Sequence, residues 1–245
     1  MRRRDRGAKM RLQVAREAAR VMYREGVGQY FDAKRIAARR VLGKDARGAQ
    51  FRPNDLPSNG EIQEQLRLLV QLAEGPKRES RLFAMRVIAL ELLRELEPWH
   101  GRLIGSVSSG HARRGSDIDL HVFTDSPDRL EQELYLKGWN FEREEVSIRV
   151  GGHFKTYLHL HLSGHAFPVE LSVYTLDERR VRTRSSTDGQ PIDRVRPERL
   201  QACLESEHGP AWQAYRETGQ LDLDEFLDGE APGEFDGLLR ELQAR

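Results

Sequence analysis

The spacing of the apolar residues changes once along the chain, near residue 98, and this change limits the folds that the chain can adopt. Before it, apolar residues recur every three or four positions, as in Leu82, Met85, Ile88, Ala89 and Leu92. After it, they recur every second position, as in Val169, Leu171 and Val173. The first spacing is typical of an amphipathic helix and the second of a half-buried strand. The sequence therefore predicts an α+β protein.

This pattern divides the chain into three predicted regions. They are a helical, basic region over residues 1–97, a mixed sheet with flanking helices over 98–176, and a loop followed by an acidic helical tail over 177–245. Within the first region, a helix is predicted over Tyr30–Leu42. Gly75–Pro76 is predicted to interrupt a longer helical stretch, since proline lacks the backbone donor. Ser58 or Asn59 is the predicted cap of the helix that follows a loop over residues 45–60.

The central region is predicted to contain the sheet. Strands are predicted over Arg102–Gly105 and Ser116–Thr124, a helix over Pro127–Lys137, and three further strands near residues 146–150, 158–162 and 169–173. Ser163–Ala166 is predicted to form a tight hairpin turn between the last two strands. Such a turn would place His159 across from Glu170. His159 would then either assist a site at Glu170 or lie on a solvated strand face.

Two carboxylates follow one another at the start of a predicted strand. Asp117 and Asp119 are two positions apart, so their side chains project from one face with Cα atoms roughly 6.6 Å apart, at ~3.3 Å per residue. Ile118 and Leu120 take the opposite face, toward the core. Carboxylates held this close raise each other's pKa unless a cation neutralises them, and magnesium prefers oxygen ligands. The pair therefore indicates a magnesium site suited to phosphoryl or nucleotidyl transfer.

A candidate phosphate-binding turn lies shortly before the carboxylates. Gly105 and Ser106 end a predicted strand and begin a short helical turn, where free backbone N–H groups and one hydroxyl point to the same place. Arg113 and Arg114 lie on the connection to the acidic strand, and their charge can meet that of a phosphate. Ser116, the last residue of this connection, is grouped with these nucleotide-binding candidates. A phosphate-binding turn together with a metal-binding pair is a stronger indication than either alone.

The segment Leu103–Leu120 resembles the signature of the nucleotidyltransferase superfamily of the DNA polymerase beta type. That signature is an apolar residue, Gly-Ser or Gly-Gly, nine to thirteen residues, and then Asp-apolar-Asp/Glu-apolar. Ten residues separate Ser106 from Asp117, and the apolar positions hold Ile104, Ile118 and Leu120. The family requires a third carboxylate on a later strand, and the resemblance places Glu170 in that role.

The resemblance implies a metal-dependent enzyme that transfers a nucleoside monophosphate from an NTP to an acceptor and releases pyrophosphate. The three carboxylates, Asp117, Asp119 and Glu170, would bind two Mg²⁺ ions and act in catalysis. The Gly-Ser turn would hold the phosphates of the NTP, and the two arginines of the connection would offset charge on the departing pyrophosphate. The resemblance covers roughly residues 100–175 and specifies neither the acceptor nor the base.

The charge of the chain is unevenly distributed. The 40 Lys and Arg nearly balance the 39 Asp and Glu, but residues 1–50 hold fifteen basic and five acidic residues, and the segment from Leu204 holds eleven acidic and three basic ones. Arginines recur on one side of the first two predicted helices, at Arg16, Arg20, Arg24, Arg35 and Arg39. These basic stripes form an RNA-binding surface, solvated faces, or partners for the acidic tail.

RNA, for example the end of a tRNA, is the favoured acceptor on this charge pattern. Two alternatives stay open: an enzyme that modifies a protein or a small molecule, and an inactive RNA- or protein-binding member of the fold. No apolar stretch approaches the roughly 20 residues of a spanning helix, so no membrane partner is expected. The lone Cys203 fits a reducing compartment, and a cytoplasmic location is expected.

Overall fold

The computed structural model describes residues 2–43, 56–150, 153–181, 183–184 and 191–223. These residues form two compact units: the first contains the residues up to Gly75 together with Arg184, and the second contains Pro76–Thr183 and residues 191–223. The boundaries predicted near residues 98 and 176 stay predictions. None of the helices in the described ranges is long and apolar enough to cross a membrane.

The first unit consists of helices packed through small and aliphatic side chains. Helix α1 spans Arg2–Arg24, α2 spans Tyr30–Leu42 as predicted, and α3 spans Asn59–Glu95 with its first half in this unit. The buried side chains include Val14, Ala18, Met22, Ala33, Ala37, Ile62 and Val70. Their spacing of three or four residues places them on one side of each helix, which is why these segments are helical.

A capping box starts α3. The Ser58 hydroxyl accepts a hydrogen bond from the Glu61 N–H (3.1 Å), and the Glu61 carboxylate accepts one from the Ser58 N–H (2.7 Å). Of the two predicted caps, Ser58 is therefore the one used. Glu61 also pairs with Arg11 of α1, with 2.6 Å between Oε2 and Nη2. The start of α3 is thus attached to α1.

Gly75 interrupts α3, as the sequence predicts. Its backbone has φ +45° and ψ −130°, which is not helical. Pro76 follows and has no N–H group to donate to the preceding turn. The division between the two units lies at this break. The second half of α3 contributes Met85, Leu90 and Leu93 to the core of the second unit.

A five-stranded mixed sheet forms the centre of the second unit, which confirms the predicted α+β class. The strands are β1 (Arg102–Leu103), β2 (Ile118–Phe123), β3 (Asn140–Val150), β4 (His153–Ser163) and β5 (Val169–Tyr174). Their order is β1-β2-β5-β4-β3; β2 and β5 are parallel, and the other neighbours are antiparallel. Ile118, Leu120 and Val122 of β2 are buried in the core. Alternation along the strand therefore turns Asp119 and His121 to the opposite face.

Short helices flank this sheet. They are α4 (Gly105–Ser108), α5 (Pro127–Leu136), α6 (Pro197–Glu207) and α7 (Gly209–Thr218), with 3₁₀ segments at Glu97–Trp99 and Leu176–Arg180. Helices α6 and α7 bury Leu200, Leu204 and Trp212 in the core of the second unit. The acidic residues of the tail from residue 224 onward lie outside the described residues.

The connection between β4 and β5 is longer than the tight turn predicted over Ser163–Ala166. A tight turn would pair Leu162 near Phe167, whereas the structure pairs Leu162 with Val169. The physical reason is Pro168, which lacks the N–H group that a position in the ladder requires. Pairing with β4 therefore begins only at the residue after the proline.

This longer connection shifts the register of the histidines on β4. The tight turn predicted His159 opposite Glu170, but His161 is the residue that pairs with Glu170, and His159 pairs with Ser172. The predicted pairing is therefore wrong by two residues. Because a shift of two residues preserves the face of a strand, His159, His161 and Glu170 still share one face of the sheet.

Candidate active site

The pairing of β2 with β5 places two candidate carboxylates side by side. Asp119 is the Cα partner of Glu170 in this parallel pair, and neighbouring strands lie roughly 4.8 Å apart. Asp117 immediately precedes β2 and is two residues from Asp119, with the fully buried Ile118 between them. The structure thus brings the three carboxylates selected from the sequence to one end of one sheet face.

Gly105 lies directly against the carboxylate of Asp119. A Cβ atom at Gly105 would overlap Oδ2 of Asp119 and would lie 3.2 Å from its Cγ. The φ angle of Gly105 is +71°, in the left-handed region that favours glycine. The neighbouring Ile104 N–H donates to the Asp119 carbonyl (3.0 Å). Two separate constraints therefore require glycine at this position, and the Gly-Ser turn is fixed against the acidic strand.

Helix α4 is a single turn that begins at Gly105. The first N–H groups of any helix lack acceptors within it. Ser108 and Ser109 donate their hydroxyls to the Gly105 carbonyl (2.9 and 3.0 Å). The half-buried Ser106 hydroxyl, by contrast, makes no hydrogen bond with any residue that the structure describes. Ser106 is therefore the hydroxyl of this turn that a ligand can use.

The aspartates hold their negative charge in an unfavourable environment. Burial, followed by the charges of Glu170 and Asp117, raises the pKa of Asp119 to about 7. Burial and the charge of Glu170 also raise the pKa of Asp117, against smaller opposing effects of His161 and Arg113. A cation at this place would relieve both the repulsion and the cost of burial.

Glu170 is stabilised as a carboxylate by its neighbours. Nδ1 of His159 lies 2.5 Å from Oε1 of Glu170, and the Ser172 hydroxyl donates to the same oxygen (3.1 Å). The hydrogen bond from His159 lowers the pKa of Glu170 against the effect of burial, and the same bond raises the pKa of His159. Glu170 is therefore ionised at neutral pH. Although His159 is not its ladder partner, it contacts the site from the neighbouring strand.

The connection between α4 and β2 carries the remaining candidates. The Ser116 hydroxyl accepts a hydrogen bond from the Arg113 N–H, and the Ser116 N–H donates to the Arg113 carbonyl, both at 3.0 Å. Ser116 thus closes a turn. The charge of Arg113 lowers the pKa of Asp117. Arg114 is exposed on the same turn.

The chemistry of the donor set fits a hard divalent cation. All three groups are carboxylates, and a cation would lower the raised pKa values of Asp117 and Asp119. Across the described ranges, no three His, Cys, Asp or Glu side chains lie close enough to form a ready-made metal site. Asp117 and Asp119 would hold an ion, and Glu170, already hydrogen-bonded to His159 and Ser172, would complete the set.

Two neighbours of the site were not among the candidates taken from the sequence. His121 follows Asp119 by two residues on the same face and is 2% exposed. Burial and the charge of Arg194 lower the pKa of His121 to about 3, and Arg194 Nε donates to His121 Nδ1 (3.2 Å). The alternation along β2 is a sequence signal for His121. No periodicity or motif around Arg194 distinguishes that residue.

Comparison with protein families gives one match to a family model. Residues 68–180 match the model of the nucleotidyltransferase domain. The matched range contains β1 to β5 and all eight candidate site residues named from the sequence. It confirms the resemblance found in the segment Leu103–Leu120. A search of curated proteins gives no match to this chain.

Solved structures with some similarity include two of Cid1 and one of a cytoplasmic RNA terminal U-transferase. Cid1 in complex with the UTP analogue UMPNPP is 23% identical over 38% of this chain and 30% of that chain, with a TM-score of 0.28. Cid1 described for its RNA terminal uridylyl transferase activity is 21% identical over 41% and 31%, with a TM-score of 0.26. A cytoplasmic RNA terminal U-transferase is 17% identical over 51% and 36%, with a TM-score of 0.25. This chain spans about a third of the length of each.

Proposed function

We propose that this chain, which contains a nucleotidyltransferase domain, transfers a nucleoside monophosphate from an NTP to an acceptor and releases pyrophosphate. The observation that supports this proposal most is the pairing of Asp119 with Glu170, with Gly105 packed on Asp119. A phosphate-binding turn and an acidic group are thereby held next to each other. Nucleotidyl transfer needs both, because the phosphates must be positioned where a metal can neutralise them.

The carboxylates are proposed as ligands of two Mg²⁺ ions, with Asp117 and Asp119 as the main ligands and Glu170 as the third. When bound, magnesium supplies the positive charge that stabilises the phosphates and the attacking oxygen. The lowered pKa of Glu170 makes it a weak proton acceptor and favours the role of ligand over that of general base. His159 would keep Glu170 ionised and oriented.

The phosphates of the NTP are proposed to bind at the Gly105–Val107 turn. The Ser106 hydroxyl and the first backbone N–H groups of α4 would donate to them. Arg113, whose charge reaches Asp117, would offset negative charge on the departing pyrophosphate. The exposed Arg114 would contribute through its longer-range field.

RNA is the proposed acceptor, with helices α1 and α2 as its proposed binding surface. The excess of basic residues in positions 1–50 supports this choice. Some of these arginines have acidic neighbours on their own helix: Arg20 pairs with Glu17, and Arg35 pairs with Asp32. Part of the basic charge is therefore balanced within the helices, and the remainder would meet the phosphate backbone.

A transfer assay on the full chain tests the proposed function. The protein is incubated with each labelled NTP, magnesium chloride and total cellular RNA, and the label is followed into the RNA, protein and small-molecule fractions. Label in RNA would support the proposal, label in another fraction would assign a different acceptor, and no label would contradict the transferase activity. Asp119→Asn should abolish transfer, whereas Asp128→Asn, a matched change at an exposed position of α5, should retain it.

A further inference from the structure

Five arginines and one phenylalanine line a cavity of about 450 Å³ in the second unit, which we call the arginine pocket. Its lining residues are Arg102 of β1, Phe123 of β2, Arg179 and Arg180 of the 3₁₀ segment after β5, and Arg194 and Arg196 before α6. Cavities of roughly 300–1,000 Å³ are of the size that binds small ligands or parts of larger ones. The lining is far more basic than that of an ordinary surface depression.

The arginine pocket lies on the same face of the sheet as the carboxylates. Arg102 of β1 pairs with His121 of β2, and directly paired residues project from one face. Asp119, His121 and Phe123 alternate along β2 and therefore share that face. The pocket thus begins one pair of residues, roughly 7 Å, beyond Asp119. The carboxylate site and the pocket therefore lie near each other on one face of the sheet.

The arginines of the pocket are not ion-paired within the described part of the chain. Among the described residues, no carboxylate lies within ion-pair distance of any of its five guanidinium groups. In the same unit, Arg94 and Arg129 each pair with a glutamate of their own helix. Burial, followed by the charges of Arg196 and Arg179, lowers the pKa of Arg102, against a smaller opposing effect of Glu198.

Arg194 is held rigidly in this pocket. Its guanidinium lies over the rings of Phe123 and Tyr174, at 4.9 and 5.5 Å from their centroids. Nη1 donates to the carbonyls of Glu178 and Val181 (2.8 and 3.0 Å). Nη2 is buried and has no hydrogen-bond partner within the described ranges. A buried donor of this kind requires an acceptor, and none of the described residues supplies one there.

The lining of the pocket suits a phosphate group. Guanidinium groups form paired hydrogen bonds that match the geometry of phosphate oxygens. Phe123 is 1% exposed and covered by Arg194, so the pocket offers no open ring on which a base could stack. Recognition therefore depends on the phosphate and not on the base.

We propose that the arginine pocket is a second phosphate-binding site, separate from the Gly105–Ser106 turn, and that it binds the phosphate groups of a nucleic-acid strand or of a free polyphosphate. Its position beyond Asp119 favours the acceptor strand as the source of these groups. The inference rests on the proposed function only for the identity of that source, because binding needs no transfer step.

A binding experiment on the full chain in EDTA tests this proposal. Arg179 and Arg196 are exposed, so Arg179→Gln/Arg196→Gln removes two charges from the pocket without opening the core. The control Arg94→Gln/Arg129→Gln removes two charges from exposed, ion-paired positions of the same unit. Circular dichroism and thermal unfolding verify that both double variants fold. If Arg179→Gln/Arg196→Gln does not fold, the single variant Arg180→Gln replaces it. Fluorescence anisotropy measures the affinity for a labelled single-stranded RNA, and calorimetry measures the affinities for pyrophosphate and ATP.

We expect the pocket variant to bind the RNA at least about tenfold more weakly than the control, with a log–log salt slope smaller by about 1.4, since each single-strand phosphate contact contributes about 0.7. If the affinity for pyrophosphate or ATP falls instead, the phosphate site stands and its ligand is a free polyphosphate. Equal affinities of the pocket variant and the control for all three probes would overturn the proposal. If the variants show the expected loss of RNA binding but the wild-type protein transfers no nucleotide, the proposed function is contradicted and the phosphate site is not.

Discussion

Replacing Gly105 with alanine adds one methyl group at the contact between the Gly-Ser turn and Asp119. The new Cβ would overlap Oδ2 of Asp119 and lie 3.2 Å from its Cγ, so the carboxylate has to rotate away. The end of a side chain moves at small energetic cost. Here, however, the movement displaces a proposed metal ligand. We therefore expect Gly105→Ala to impair transfer far more than folding.

The folding cost of this substitution is set by the backbone. Gly105 has φ +71°, and the left-handed conformation costs a residue with a Cβ roughly 1–2 kcal/mol. Gly138 offers a matched control, because its φ is +79° and nothing lies within 4 Å of its Cβ position. Gly138→Ala carries the same backbone cost without touching a carboxylate. Comparing the two variants separates backbone strain from the displacement of Asp119.

Denaturant unfolding should place both variants about 1–2 kcal/mol below the wild-type free energy of unfolding. Transfer of labelled nucleotide by Gly105→Ala should fall by about a hundredfold, since misplacement of a catalytic group by about 1 Å costs that much. Gly138→Ala should keep wild-type activity under conditions in which both proteins are folded. If both variants were equally active, Asp119 would not need the space that Gly105 leaves open, and the argument for this contact would be refuted.

Three further changes test the site and the first unit. Ser106→Ala should weaken NTP binding by about 1.5–3 kcal/mol with little effect on folding; an unchanged affinity in calorimetry would place the triphosphate elsewhere. Asp119→Asn should raise the melting temperature in EDTA, because it removes one of the repelling charges; a lower melting temperature would contradict the repulsion. Glu61→Gln keeps the capping box but loses the charge paired with Arg11, and should cost up to about 1 kcal/mol of unfolding free energy at neutral pH. Since Arg11 lowers the pKa of Glu61 from 4.5 to about 2, this cost should be complete above pH 4.5 and vanish as the pH falls through about 2. A difference independent of pH would rule out the charge as its cause.

Features that depend on neighbouring residues could be predicted from the sequence. The spacing of two residues predicted that Asp117 and Asp119 lie close together at the start of a strand, and Asp117 immediately precedes β2. The helix over Tyr30–Leu42 and the break at Gly75–Pro76 follow equally from local spacing and from the missing donor of proline. These signals are short in range, and distant parts of the chain did not override them.

Features that depend on distant pairing could not be predicted in the same way. His159 does contact Glu170. The two residues are not the direct partners in the ladder that were predicted, because the register of β4 and β5 differs by two residues from the predicted one. Pro168 caused the difference, since it delays the start of the ladder. Arg194 lies in an irregular segment before α6, and only the folded chain brings it over Phe123. Neither periodicity nor spacing carries that information.

The sheet face that contains the site is acidic at one end of β2 and basic at the other. Asp119 lies at one end and Phe123, covered by Arg194, at the other, with His121 between them. Because burial is the main cause that lowers the pKa of His121 to about 3, its ring is neutral and accepts the hydrogen bond of Arg194 without carrying charge. After the larger effect of burial in each case, Glu170 and Asp117 raise the pKa of Asp119, and Arg196 and Arg179 lower the pKa of Arg102. The two oppositely charged groups, separated by a neutral ring, fit the two proposed partners, a cation at the aspartates and an anion at the arginines. A magnesium-dependent enzyme acting on a phosphate-bearing substrate has this requirement.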